Sequence, residues 1–156
     1  MSMDYINYKI LEKLAENSRT PFSEIAEELK IATSTVHKRV QGLQESNIIE
    51  KFTLIVNPSP SSLNQITAYI GIEVEQEQDK LKKVIDKLKS VDEVLEIYET
   101  LEPYDIFIKV RAGGIYELKR NVIALLSQME GVINVSSILT TVRHKEKTAN
   151  INEPQV

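Results

Sequence analysis

Ser34, His37, Lys38 and Gln41 gather on one side of a helical wheel drawn at about 100° per residue, away from Val36, Val40 and Leu43. A hydroxyl, an imidazole, an ammonium and a carboxamide in one row can donate to or accept from base edges, or grip phosphate. From Leu29 through Gln44 there is no Asp or Glu, whereas Lys30, Lys38 and Arg39 all lie in that stretch. The row is therefore a candidate reader of nucleic acid. The plainer alternative is a helical hairpin whose polar face meets only solvent.

Other chemistries find little material. The chain has no cysteine, which excludes disulfides, thiolate metal sites and cysteine nucleophiles. His37 has no second ligand at i+4 or nearby, so no metal is assigned to it, and His144 is given no role. Neither GxSxG nor HExxH spacing occurs, and the five glycines form no phosphate-cradling loop. No enzyme activity and no cofactor are expected.

The polar row needs a scaffold. Just upstream, Ile25, Ala26 and Leu29 share one face of a short helix, Ile31 plugs the corner, and Thr33 or Ser34 can cap the next helix. Two such helices joined by about three or four residues form a helix-turn-helix, whose second helix can enter a DNA major groove. Before them, Asp4 can cap a first helix with the apolar stripe Ile6, Ile10, Leu11 and Leu14. Asn17-Ser18-Arg19-Thr20-Pro21 stops that helix, and Pro21 with Ser23 as cap starts the next. After the third helix, the β-branched run Ile48-Ile49-Glu50-Lys51-Phe52-Thr53-Leu54-Ile55-Val56 predicts a strand. These elements make a first domain, residues 1–56.

Asn57-Pro58-Ser59-Pro60-Ser61-Ser62 is the strongest break in the chain and marks a linker over residues 57–64. Beyond it, strands are predicted over Gln65 to Val74, Val94 to Leu101, Tyr104 to Arg111 and Val132 to Val142. Helices are predicted over Asp79 to Leu88, with Leu81, Val84, Ile85 and Leu88 inward, and over Ile115 to Met129, with Leu118, Val122, Leu125 and Met129 inward. Glu102-Pro103 is the tight hairpin connection between the middle strands. The order βαββαβ over residues 65–145 is the ferredoxin-like split βαβ arrangement. The fold class is α+β: an N-terminal, winged-helix-like helix-turn-helix domain joined by a strand and linker to a ferredoxin-like domain. Its two helices cover one sheet face. The other would carry apolar residues such as Tyr69, Ile97 or Phe107, the outward member of each alternation being left open, and a bare apolar face predicts a homodimer. The polar tail, residues 146–156, is expected to be loose.

Composition fits this division. The chain has 156 residues, is 42% hydrophobic and 27% charged, and carries a net charge of −4. No global positive field advertises nucleic acid, and residues 1–60 hold 7 Lys and Arg against 8 Asp and Glu. DNA affinity must then come from segregated charge, with bases on the third helix and acids on the first two. The segment MSMDYINYKI lacks the layout of a signal peptide, and no apolar run approaches the ~20 residues that cross a bilayer. A cytoplasmic location without a membrane partner is expected.

The sequence resembles the Lrp/AsnC family of transcriptional regulators over roughly Asp4 to Lys145. The motifs that carry the likeness are Asp4 with Lys9-Ile10-Leu11, Asn17-Ser18-Arg19, Ile25-Ala26, Thr35-Val36-His37-Lys38-Arg39-Val40 with Leu43, Ile48-Ile49-Glu50-Lys51-Phe52, and Tyr104-Asp105. The resemblance implies a sequence-specific DNA-binding regulator built on a homodimer, often assembled into a tetramer or octamer, on a pseudo-palindromic double-stranded operator. Its DNA-contacting candidates are Thr33, Ser34, Thr35, His37, Lys38, Arg39 and Gln41, with Arg19 reaching for phosphate; for Arg39 a structural pair with an acid such as Asp4 competes evenly.

The second domain of the family is a regulatory module that often binds an amino acid. Carried onto this chain, that pocket would be lined by Leu101, Glu102, Pro103, Tyr104 and Asp105, with Val135 and Ser137 from the last strand. Three positions depart from the family pattern. Lys30 stands where the helix-turn-helix corner usually has Gly, Ala32 where the cap is usually Ser, and Glu102 with Pro103 where a Gly precedes the Tyr-Asp pair. Glu102 would either fill the pocket or pair with the amine of a basic ligand, while a polar turn that binds nothing is the plainer alternative.

Overall fold

Hydrophobic periodicity divides the chain into two packed units, each with its own core. The computed structural model describes residues 3–58 and 63–151. One unit comprises Met1–Ile55 together with Lys145–Val156, and the other Val56–His144. The expected linker is only partly visible, since residues 59–62 lie outside the described residues.

The first unit contains α1 (Tyr5–Glu16), α2 (Phe22–Leu29) and α3 (Thr33–Glu45). Ile10, Leu11 and Leu14 of α1 meet Ile25 and Ala26 of α2 and Val36, Val40 and Leu43 of α3 in one buried core. Asp4 caps α1 as expected: its Oδ1 accepts the Asn7 N–H at 2.9 Å. The other two caps differ from expectation. Pro21, with its φ of −59°, stands at the cap of α2, so Ser23 lies inside that helix. Ala32 caps α3 without a side-chain bond, and Thr33 and Ser34 become its first two residues.

The corner between the helices explains the shift. Lys30 adopts the left-handed conformation (φ 54°, ψ 44°), and the Ile31 N–H returns to the Ala26 carbonyl at 3.0 Å. This closes α2 in the manner usually reserved for glycine. It also leaves Ala32 as the last residue with extended backbone before α3. Ile31 packs against the core, as the sequence implies.

Ile48 to Val56 does not form the expected strand. Both Ile48 and Ile49 N–H groups bond the Leu43 carbonyl, and Ile49 packs on the first core. Past that point a strand needs a hydrogen-bonded neighbour, and no described strand pairs with this segment. Phe52, Leu54, Ile55 and Val56 are exposed. Residues 152–156 of the expected loose tail lie outside the described residues, and before them Ile151 packs against the first core.

The second unit runs β1 (Ile66–Val74), α4 (Gln78–Leu88), β2 (Val94–Glu99), β3 (Ile106–Ala112), α5 (Ile115–Glu117), a π-helical stretch Leu118–Ile123, α6 (Ala124–Ser127) and β4 (Val132–Leu139). The strands lie antiparallel in the order β2-β3-β1-β4, which is the βαββαβ arrangement read from the sequence. One face, with Ala68, Ile70, Ile72, Ile106, Ile108 and Val110, is buried under Val84 and Leu88 of α4 and Leu118, Val122 and Leu126 of the second helical run.

One side-chain assignment changes, and one that the alternation left open is decided. Leu126, rather than Leu125, is the fully buried leucine. A π turn takes more residues than an α turn, so a spacing of four from Leu118 to Val122 to Leu126 keeps one direction. Ile97 pairs with Ile108 and packs into the helix-covered core, while its neighbour Tyr98 pairs with Phe107 on the open face. On that open face Tyr69 stacks with Phe107 at 5.9 Å, and Tyr104 with Phe107 at 6.4 Å.

Candidate nucleic-acid interface

The back of α3 fixes what its front presents. Val36 and Leu43 are fully buried and Val40 nearly so, so the helix cannot turn about its axis without exposing its seam. Opposite that seam, Ser34, His37, Lys38 and Gln41 are all exposed. The first turn of α3 has no side-chain cap, and free N–H groups at a helix N-terminus favour an anion such as a DNA phosphate.

The members of the row are not equally free. His37 leans on Phe22, the first residue of α2, with ring centroids 4.7 Å apart and planes at 75°. The Gln41 amide donates to Glu45 Oε1 at 2.7 Å. Among the described residues Lys38 makes no ion pair. Thr33 and Ser34 are exposed at the start of α3, and Thr35, half-buried, sends its N–H to the Ala32 carbonyl at 2.9 Å. Arg19 is exposed in the turn before α2, where its N–H bonds Asn17 Oδ1 at 3.0 Å.

Arg39 makes the structural pair of its two readings. Its Nη1 lies 2.7 and 2.8 Å from the two Asp4 carboxylate oxygens and 3.0 Å from Asn7 Oδ1. The guanidinium bond, helped by the Asn7 N–H, holds the Asp4 carboxyl below its ordinary pKa. Asn7, fully buried within the apolar stripe of α1, is a member of this cluster that sequence reasoning missed. Its signal was one polar residue beside the stripe Ile6, Ile10, Leu11. Across the other seam, Lys13 meets Glu28 at 2.8 Å and joins α1 to α2.

The residues assigned by resemblance to an effector pocket divide between the two faces of the sheet. Leu101 to Asp105 are contiguous in the β2–β3 connection, whose Glu102–Pro103 peptide is cis. Leu101 is 98% exposed, and Glu102 and Pro103 are exposed beside it within one subunit. Tyr104 lays its ring over Gly71, where any Cβ would collide with it, and its carbonyl accepts the Thr100 hydroxyl. Asp105 clamps the connection to β1: one oxygen accepts the Val74 N–H at 2.7 Å, the other the Gln76 amide at 3.2 Å. Val135 packs into the helix-covered core opposite Ile72, and Ser137 lies exposed opposite Ile70. Within one subunit the seven residues therefore do not converge on a single cavity.

Among the described residues no group of three or more His, Asp or Glu is placed to hold a metal ion, and no helix is long and apolar enough to cross a membrane.

Residues 3–44 match the AsnC-type helix-turn-helix domain, and residues 67–150 match the Lrp/AsnC ligand binding domain. The HTH-type transcriptional regulator FL11 of Pyrococcus furiosus is 36% identical over 146 residues, covering 94% of each chain. The solved structure of E. coli AsnC superposes with a TM-score of 0.82 at 27% identity, covering 96% of this chain and 99% of that one. The transcriptional regulator NMB0573 of Neisseria meningitidis, solved as a complex with L-Met, shares the fold with a TM-score of 0.84 at 21% identity, over 94% and 95% of the two chains. With both domains matched in sequence order, the chain belongs to the Lrp/AsnC family of DNA-binding transcriptional regulators.

Proposed function

We propose that this regulator reads a pseudo-palindromic operator as a homodimer, with one α3 from each subunit in the major groove. The observation that carries the reading is the outward row on α3, exposed and without an acid from Leu29 through Gln44, on a helix whose apolar back is buried. In this arrangement Ser34, His37, Lys38 and Gln41 meet base edges, while Lys38, Arg19 and the N–H groups of Thr33 and Ser34 at the start of α3 serve phosphates. Arg39 acts from behind, by holding α3 to the start of α1.

Dimerisation is assigned to the open sheet face, where Tyr69, Tyr98, Tyr104 and Phe107 offer aromatic surface that water covers poorly. Two-fold symmetry then gives the operator two related half-sites about one helical turn apart. Higher assembly into tetramers or octamers follows from the same family reading. The effector is an amino acid bound near the Leu101 to Asp105 connection, and the L-Met held by the Neisseria relative supports that class of ligand. Because Val135 and Ser137 face the other way in one subunit, the site takes residues from more than one chain. A cytoplasmic location accords with this role.

Selection of bound fragments from a genomic library, with and without the twenty amino acids, tests the proposal. The expected result is a shared pseudo-palindromic motif whose affinity falls steeply with salt and shifts with one or a few amino acids. Enrichment of no common motif would refute sequence-specific reading. Calorimetry with the same amino acids should give a signal that Glu102→Ala changes, and silence across all twenty would remove the effector.

A further inference from the structure

Phe22 has no part in the polar row, yet it touches it. It opens α2 directly after Pro21, is half-buried, and packs its ring against the first core. The same ring meets the exposed His37 imidazole edge-on, with centroids 4.7 Å apart and planes at 75°. That is the favoured geometry for an aromatic pair. An exposed side chain on a DNA-facing helix normally samples several rotamers and loses that freedom on binding. His37 is instead held against a wall anchored in the core.

The surrounding charge sets what the held ring would meet. Lys38 follows directly with its ammonium exposed, in a stretch that has no acid from Leu29 through Gln44, and donors therefore dominate the face. A ring N–H among donors pairs with an acceptor, and the densest acceptor edge in the major groove is that of a purine: N7, joined in guanine by O6.

We propose that Phe22 is a specificity-determining positioning residue, which holds the His37 imidazole so that it meets a purine acceptor edge in one orientation. The inference rests on the reading that α3 enters the major groove. It adds that one base preference originates in α2, from a side chain that touches no DNA.

The test uses the full chain and the operator selected above. Affinities for that operator and for every single-base variant are measured by fluorescence anisotropy at fixed salt. The proteins compared are wild type, Phe22→Leu, Phe22→Met, Phe22→Tyr, His37→Ala and the double variant Phe22→Leu/His37→Ala. Thermal unfolding of each establishes that it is folded, and the two aliphatic replacements guard against one that is not. Phe22→Leu and Phe22→Met should lose about 3- to 10-fold in affinity. The loss should appear as flattened discrimination at the same purine position that His37→Ala flattens, with affinity for random duplex unchanged. Phe22→Tyr, which keeps the ring, should retain discrimination, and the double variant should match His37→Ala alone.

Equal weakening on all sequences, full discrimination without the Phe22 ring, or additive effects in the double variant would overturn the proposal. If His37→Ala leaves discrimination intact while Lys38→Ala weakens binding, the groove reading stands and the role of Phe22 falls. If wild type prefers no sequence, both fall together.

Discussion

Arg39 and Asp4 stand 35 positions apart, yet one guanidinium nitrogen bridges both oxygens of the carboxylate that caps α1. Asp4 thus performs two tasks with one group: it terminates the first helix and tethers the third. The cap bond from the Asn7 N–H and the pair with Arg39 converge on the same Oδ1, so removal of the side chain loses both.

The two tasks separate by mutation. Asp4→Ala should cost about 1–2 kcal/mol, a cap and a half-exposed ion pair together. Asp4→Asn keeps a good capping oxygen and should cost less than half of that. The pH dependence gives the sign. Since the folded-state pKa of Asp4 is depressed, its contribution is present above the unfolded carboxylate pKa and fades as pH falls through the folded value. Thermal melts between pH 7 and pH 2.5 should show the wild-type advantage over Asp4→Asn shrinking in the acid range. A constant gap across that range would refute the ionic role.

Lys38 has an exposed ammonium and no ion pair among the described residues, so its removal should leave folding unchanged. Lys38→Ala should weaken operator binding by about 1–3 kcal/mol if the ammonium reads a base. If it serves a phosphate, the loss should extend to all sequences and the slope of affinity against salt should fall by about one. Anisotropy titrations at several salt concentrations distinguish the two, and unchanged affinity would remove Lys38 from the interface.

At the corner of the helix-turn-helix, Lys30 pays a conformational cost with its φ of 54°. Lys30→Gly removes the Cβ that makes this region unfavourable and should stabilise the first unit by up to about 1 kcal/mol. Differential scanning calorimetry reads the change. A loss of stability would mean that the Lys30 side chain contributes more than its backbone costs.

Gly71 admits the Tyr104 ring onto the open sheet face. Gly71→Ala forces that ring away and should destabilise the second unit by about 1–3 kcal/mol. The damage should be largely absent in a Tyr104→Ala background, because the collision partner is gone. A double-mutant cycle by urea unfolding measures the coupling, and strict additivity would show that the ring is not the obstacle.

Much of this was legible in residue spacing. The stripe Val36, Val40, Leu43 read correctly as the buried back of α3. The order of strands and helices followed from the same periodicities. What escaped was set by terms that spacing does not carry. Capping preference pointed to Thr33 or Ser34, but the left-handed turn at Lys30 moved the start of α3 and left Ala32 as its cap. The β-branched run 48–56 has the composition of a strand and lacks a pairing strand among the described residues. A π turn shifted burial from Leu125 to Leu126, and the register break between Val94 and Glu96 obscured which side of β2 Ile97 would take.

In the candidate interface, spacing identified the outward row but not its internal restraints. The bond from Gln41 to Glu45 and the contact of His37 with Phe22 depend on which way side chains lean. Arg39 sat at the flank of the apolar stripe with two partners open to it, and only the position of α1 decided between them. For the effector residues, Glu102-Pro103 located the turn, while the expected strand start at Tyr104 came two residues too early. The opposite faces taken by Tyr104 and Val135 come from strand register, which no local pattern encodes.

Ile151 follows β4 in the chain yet packs against the helices that come first. On the ribosome, the three N-terminal helices are therefore made long before the isoleucine that joins their core. The whole βαββαβ domain is translated in the interval. Completion of the first core is thereby deferred until the second unit has been made, so a chain terminated before Ile151 carries α3 on an unfinished core.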